Sequence, residues 1–278
     1  DIGGSIRLPS SHCGVYGHKP SFGVIPTYGY LDSVKYHRNV ADVNVFGPIA
    51  RSINDLDLLV DLLAGPNPDD APGWRLELPP PRATELADFR VAAWLDDSFC
   101  PVDASITAVL ERAVGALENA GARIDHDVRP ALEPLTASVD GSNLIGAATD
   151  ISGEQEGMSH LMWDTMHRQR GQLRQRWTEF FGNVDVLLCP VSPTPAFQHV
   201  HSPQGSNWAH AVLSEFDDMP YRHLLRWNTL IGSAYLPVTV PPVGRTPGGL
   251  PVGIQVVAPF LHDRTALAFA RCISEVIG

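Results

Sequence analysis

The run from Phe89 to Leu95, FRVAAWL, together with the segment directly after it, constrains the chain most. Its apolar residues suit a buried strand, and DASITAVLERAVGALENAGARI over 103–124 then changes to helical spacing. Ile106, Val109, Leu110, Ala113 and Leu117 form one stripe of that helix, Gly121 sits near its C-cap, and Arg123–Val128 begins another strand. Strand, amphipathic helix and strand in succession predict an α/β protein with crossover helices on its sheet.

The rest of the chain fits that class. Residues 51–64, RSINDLDLLVDLLA, place Ile53, Leu56, Leu59, Val60 and Leu63 on one helical face, with Ser52 as N-cap and Asp55 three residues on. Val184–Cys189 reads as a buried strand, 235–243 and 250–257 as two paired strands around GRTPGG, and RTALAFARCISEVI as a closing helix. Residues 136–182 and 207–231 lean helical. The first 31 residues, rich in Gly, Ser and Pro and poor in charge, read as a compact, packed loop region.

Composition narrows the function. A formal charge of −11 and only two lysines, Lys19 and Lys35, argue against nucleic acid or an anionic membrane as partner. The cysteines Cys13, Cys100, Cys189 and Cys272 are scattered, with no CxxC, which suits a reducing, cytoplasmic setting. Nothing resembles a signal peptide or a membrane span.

The densest chemistry lies in Asp1-Ile2-Gly3-Gly4-Ser5-Ile6-Arg7. Paired glycines allow backbone amides to converge on one point, and a serine directly after them places a hydroxyl beside that nest. Acyl transfer needs both, a nucleophile and an oxyanion hole. An ordinary Gly-Gly-Ser turn has the same residues, so the heptad alone leaves both readings open. Eleven histidines offer partners for a Ser-His-Asp triad, but no GxSxG elbow occurs. His199-Val-His201 has the spacing of two metal ligands on a strand face. Its flanks read as a polar loop, and no HExxH accompanies it.

DIGGSIRLPSSHCGVYGHKPSFG resembles the signature segment of the amidase signature family. FGPIARSINDLDLLVDLLAGPNPDD, VDVLLCPVSPTPAF and LPVTVPPVGRTPGGLPVGIQVVAPFLHDRTALAFA are similar to further blocks of that family, in family order and across the chain. The resemblance implies a mixed β-sheet flanked by helices on both sides, and a Ser–cis-Ser–Lys hydrolase of amide bonds. Ser5 is then the nucleophile, and the backbone N–H groups of Ile2, Gly3, Gly4 and Ser5 are the oxyanion hole. Asp1 and Arg7 shape the turn, and Lys19 is a structural lysine. Trp163, Trp208, Trp227 and Ile231 are candidates for the substrate pocket. No cofactor and no metal are implied. The partner is a small-molecule amide, with a homo-oligomer as a further expectation.

The family's catalytic lysine and second serine, the latter in a Gly-Ser-Ser-Gly-Gly segment, lie before the signature, and no GSSGG occurs in this sequence. Residues 1–278 are therefore expected to be the C-terminal portion of a single amidase signature domain. The signature and following helix cover 1–65, and the remaining sheet and pocket helices cover 66–278. Alone, this portion is expected to be inactive, with apolar surface that favours association. The alternatives are a pseudoenzyme or one half of a split protein and, further off, an amidotransferase subunit. One departure stands near the end: Gly232-Ser233-Ala234-Tyr235 replaces the family's Asn-Leu-x-Gly, so Tyr235 takes the place of a small residue.

Overall fold

The computed structural model describes residues 1–28, 42–132, 159–198, 212–213 and 219–278. A short helix, α1 (Arg7–Cys13), leads into strand β1 (Tyr16–Lys19). Strand β2 (Ile49–Ala50) and helix α2 (Ile53–Leu63) come next, then β3 (Arg90–Ala93), α3 (Ala104–Asn119) and β4 (Arg123–Asp125). Helix α4 (His160–Phe180) precedes β5 (Val186–Pro190). Two short strands, β6 (Val212–Leu213) and β7 (Met219–Pro220), pair with each other and lead to α5 (Arg226–Gly232). The chain ends with β8 (Val238–Val240), β9 (Pro242–Arg245), β10 (Pro251–Val257) and α6 (Asp263–Ile277).

The main sheet runs β2-β1-β8-β10-β5-β3-β4, with β9 paired to β10. Strand β3 is parallel to both β4 and β5, and the other pairs are antiparallel. The central strands of this mixed sheet are buried on both faces, and their side chains show which helices cover each. Val91, Ala93, Val186, Leu188, Ile254 and Val256 pack with residues of α2, α3 and α6. Ala92, Trp94, Leu187, Cys189, Val238 and Val257 pack with Leu173, Trp177 and Phe180 of α4 and Trp227, Leu230 and Ile231 of α5. The alternation along β3 and β5 is the period of two that sends successive side chains to opposite faces.

The expected helix stripes are present. All five stripe residues of α3 are buried, and the chain leaves that helix through Gly121 at φ +105°. On α2, Ile53, Leu56 and Val60 are buried, and Ser52 Oγ accepts from the Asp55 amide at 3.1 Å, while Leu63 is exposed.

Three expectations change. Residues 1–31 are not all loop, since they contain α1 and the fully buried β1. Gly17 lets these two meet, because a Cβ there would lie 2.0 Å from Ser10 Oγ. The segment 235–243 is two strands, β8 and β9, and both pair with β10. Among the described residues of 207–231 the α-helix is α5, preceded by a 3-10 turn at Tyr221–Leu225 and by the short strands β6 and β7. In 136–182 the described helix is α4, and 133–158 lie outside the described residues.

Candidate active site

The nucleophile turn is built around one carboxylate. Asp1 Oδ1 accepts from the Gly4 amide at 3.0 Å, and Oδ2 accepts from the amides of Ile6 (3.0 Å) and Arg7 (3.3 Å). The Arg7 side chain closes the same ring, with Nε donating to Oδ2 at 3.1 Å and Nη2 to Oδ1 at 2.9 Å. Both side chains are fully buried. Asp1 and Val45 exchange main-chain hydrogen bonds, which ties the turn to a neighbouring segment.

Arg7 then anchors the turn to the sheet and to α5. Its Nη1 donates to Asn228 O at 2.8 Å and to Gln255 Oε1 at 3.1 Å. Gln255 in turn donates through Nε2 to Pro190 O at 2.6 Å, and Asn228 Nδ2 donates to Val191 O at 2.7 Å. Burial pushes the Arg7 guanidinium down to about 9, still above neutrality, and the paired carboxylate holds it charged.

Gly4 is required at its position. Its φ is +130°, and a Cβ would lie 2.9 Å from Leu8 Cδ1 and 3.2 Å from Asn228 Cγ. After it comes Ser5, whose side chain is exposed at the surface of the turn. Ile2 and Gly3 are half-buried.

Of the four expected oxyanion-hole donors, Gly4 donates its N–H to Asp1 Oδ1. Among the described residues, the amides of Ile2, Gly3 and Ser5 donate to no protein acceptor. A turn with three uncommitted amides beside an exposed hydroxyl can hold an anionic oxygen next to a nucleophile.

Lys19, the one lysine among the described residues, is committed elsewhere. Lys19 is buried, and its Nζ donates to Pro20 O at 3.0 Å and Leu236 O at 2.6 Å. Burial, with Arg7 adding to it and Asp263 opposing, pushes its ammonium well below the usual lysine range. Lys35 lies outside the described residues, as do Trp208 and the His199–His201 pair.

Of the other pocket candidates, Trp227 and Ile231 are buried and Trp163 is exposed. Trp227 is fully buried against Trp94 and Phe99, with Nε1 donating to Cys100 O at 3.1 Å. Ile231 lies in the same core. Trp163 is exposed on α4 and stacks between His160 and His167. The part of α5 that meets the turn is instead Asn228 and Gly232, where a Cβ on Gly232 would lie 3.4 Å from Arg7 Nη2 and 3.8 Å from Ile2 O.

Sequence reasoning misses Asn228 and Gln255. Gln255 does leave a trace, as the one polar side chain in the apolar run LPVGIQVV. Asn228 leaves none beyond being polar within a short helix.

Among the described residues no helix is long and apolar enough to cross a membrane. The four cysteines are free thiols, and only Cys13 is exposed.

Comparison with known proteins places this architecture. The amidase family model matches residues 1–149 and 148–267. The A subunit of glutamyl-tRNA(Gln) amidotransferase from Deinococcus radiodurans is 29% identical over 99% of this chain and 63% of its own length. An acylamidase of Rhodococcus erythropolis is 28% identical over 99% of this chain and 60% of its own. The chain thus spans roughly three-fifths of these relatives. Among solved structures, the A subunit of the Thermotoga maritima glutamyl-tRNA(Gln) amidotransferase superposes with a TM-score of 0.73 at 22% identity, covering 99% of this chain and 61% of that one. A bacterial aryl acylamidase described as an amidase signature enzyme gives 0.70 at 19% identity, with 99% and 61% covered. The order of the sequence blocks, the mixed sheet and the matching family model agree: this chain belongs to the amidase signature family.

Proposed function

We propose that residues 1–278 carry the nucleophile and oxyanion cradle of an amide hydrolase. The observation that carries this reading is the exposed Ser5 on a turn whose Ile2, Gly3 and Ser5 amides are uncommitted, while Asp1 and Arg7 hold its shape. In the reaction, Ser5 Oγ attacks the amide carbonyl and loses its proton to a base. The three amides stabilise the tetrahedral oxyanion, at about 3 kcal/mol of barrier for a donor of this kind. The proton passes to the leaving amine as the C–N bond breaks, and water hydrolyses the resulting ester, giving a carboxylic acid and restoring the serine.

A serine hydroxyl is a weak nucleophile without a base. Lys19 is committed to two carbonyls, and the sequence contains no GSSGG. We therefore read residues 1–278 as one part of a single domain that does not turn over amides by itself. The acylamidase relative supports a small aryl or alkyl amide as substrate, and the amidotransferase A subunits among the relatives support the alternative of an amidotransferase subunit.

The test is labelling with a fluorophosphonate probe, read by intact mass and peptide mapping, on the protein as isolated from its source and on residues 1–278 alone. The expected result is one adduct at Ser5 in the natural protein, abolished by S5A, and no amide turnover by residues 1–278. A natural protein that leaves Ser5 unmodified would favour the non-catalytic reading, in which the chain acts by association. Rapid amide turnover by residues 1–278 would refute the need for an outside base.

A further inference from the structure

Helix α4 carries four arginines in nine residues, RQRGQLRQR from Arg168 to Arg176, within a chain of net charge −11. Three have carboxylate partners: Arg168 with Asp164, Arg170 with Asp42 and Arg176 with Glu179. Arg174 has none among the described residues. Its guanidinium instead lies against two aromatic rings, 5.0 Å from the centroid of Tyr235 and 4.8 Å from that of Phe260. A guanidinium packed on ring faces keeps its in-plane N–H fork available at its edge.

The surroundings are built rather than incidental. Arg170, one turn earlier, is nearly fully buried, and its Cζ lies 5.3 Å from the same Tyr235 ring. Its Nη1 donates to Asp42 Oδ2 at 2.6 Å and to Tyr235 Oη at 2.8 Å, while its buried Nε has no acceptor among the described residues. Tyr235 Oη donates to Asp42 Oδ1 at 2.6 Å, and its ring stacks on Phe22 at 4.5 Å. The Tyr235 backbone sits at φ +69°, a left-handed conformation that a bulky residue adopts only when its surroundings impose it. Arg170 thus takes the Asp42 carboxylate, while Arg174 lies over the same Tyr235 ring with no carboxylate partner among the described residues.

We propose that Arg174, backed by Arg170 and flanked by Tyr235 and Phe260, is a binding site for a small organic carboxylate. The carboxylate takes the free edge of the Arg174 fork, and an apolar body lies along the half-exposed rings. This site uses none of the Ser5 turn and does not depend on the hydrolytic reading.

Isothermal titration of the protein as isolated from its source with benzoate at low ionic strength tests it, with benzyl alcohol and inorganic phosphate as comparison ligands. Saturable one-to-one binding of benzoate is expected, with benzyl alcohol and phosphate binding far more weakly. R174Q should weaken benzoate by about tenfold or more, the loss of charge-assisted hydrogen bonds. R174K, which keeps the charge but not the planar fork, should weaken it as well, and R176Q should not. Absence of saturable benzoate binding overturns the proposal. Equal affinity in R174Q does the same by locating the ligand elsewhere, and equal binding of phosphate shows only diffuse attraction of anions.

Discussion

Replacing Arg7 with Met tests whether the buried ion pair organises the nucleophile turn. Met occupies much of the space but supplies no donors. The change removes four hydrogen bonds, two to the Asp1 carboxylate and one each to Asn228 O and Gln255 Oε1. Asp1 keeps its three amide donors but loses its counter-charge inside a fully buried site. Removing one partner of a buried pair typically costs about 3–5 kcal/mol, because a charge is left uncompensated. Net stabilities run to about 5–15 kcal/mol, so the loss is a large share. With a urea slope of about 3 kcal/mol per molar, the midpoint should fall by roughly 1–1.7 M, read by circular dichroism. Adding Asp1→Asn should recover part of that, since the stranded charge disappears with it, and the coupling isolates the pair. A midpoint shift below about 0.3 M in R7M, corresponding to about 1 kcal/mol, would refute the reasoning.

Gly4→Ala should destabilise by about 2–4 kcal/mol, combining left-handed strain with overpacking against Leu8 and Asn228, and should reduce probe labelling of Ser5. A variant labelled at the natural rate would show that the turn tolerates a Cβ. Lys19 gives a pH dependence. Its folded-state value is depressed, so between that value and the unfolded value of about 10.4 the unfolded chain binds the extra proton. Stability from this group therefore rises with pH across that window. The melting-temperature difference between wild type and Lys19→Met should widen from pH 7 to 10, and a constant difference would contradict it. Ser52→Ala removes the α2 cap and should cost about 1 kcal/mol in the same denaturation assay.

The parts of the fold legible in the sequence are those whose signal is local. The stripe of α3 and the apolar run of β3 needed only neighbouring residues. Helix α1 and strand β1 did not announce themselves, because their residues are chosen for contacts made far away. Ser10 Oγ donates back to Ile6 O, Ser11 Oγ accepts from the Gly253 amide, and Gly17 is kept small by Ser10. A composition of Gly, Ser and Pro that reads as loop is here what permits close packing. The site divides the same way. Its glycines and serine are contiguous, but Asn228 and Gln255 meet Arg7 across more than 200 residues of chain, so no local pattern could nominate them.

Tyr235 shows how a local departure becomes intelligible only with the long-range contacts present. In sequence it is a bulky residue where the family has a small one. In the structure its backbone has φ +69°, a conformation glycine adopts freely and that costs other residues about 1–2 kcal/mol. The chain offsets the strain with side-chain bonds to Asp42 and Arg170 and a stack on Phe22. Hydrogen bonds to charged groups contribute about 1.5–3 kcal/mol each, so two of them suffice. Tyr235 therefore holds the course of the chain between α5 and β8 and gives Arg174 an aromatic surface. The same phenol can be removed without touching the backbone, so Tyr235→Phe separates the two effects. Losing both polar contacts while keeping the ring, it should lower stability by about 2 kcal/mol or more in urea denaturation. An unchanged midpoint would mean that packing alone holds the left-handed turn, and that Asp42 and Arg170 are not its clamp.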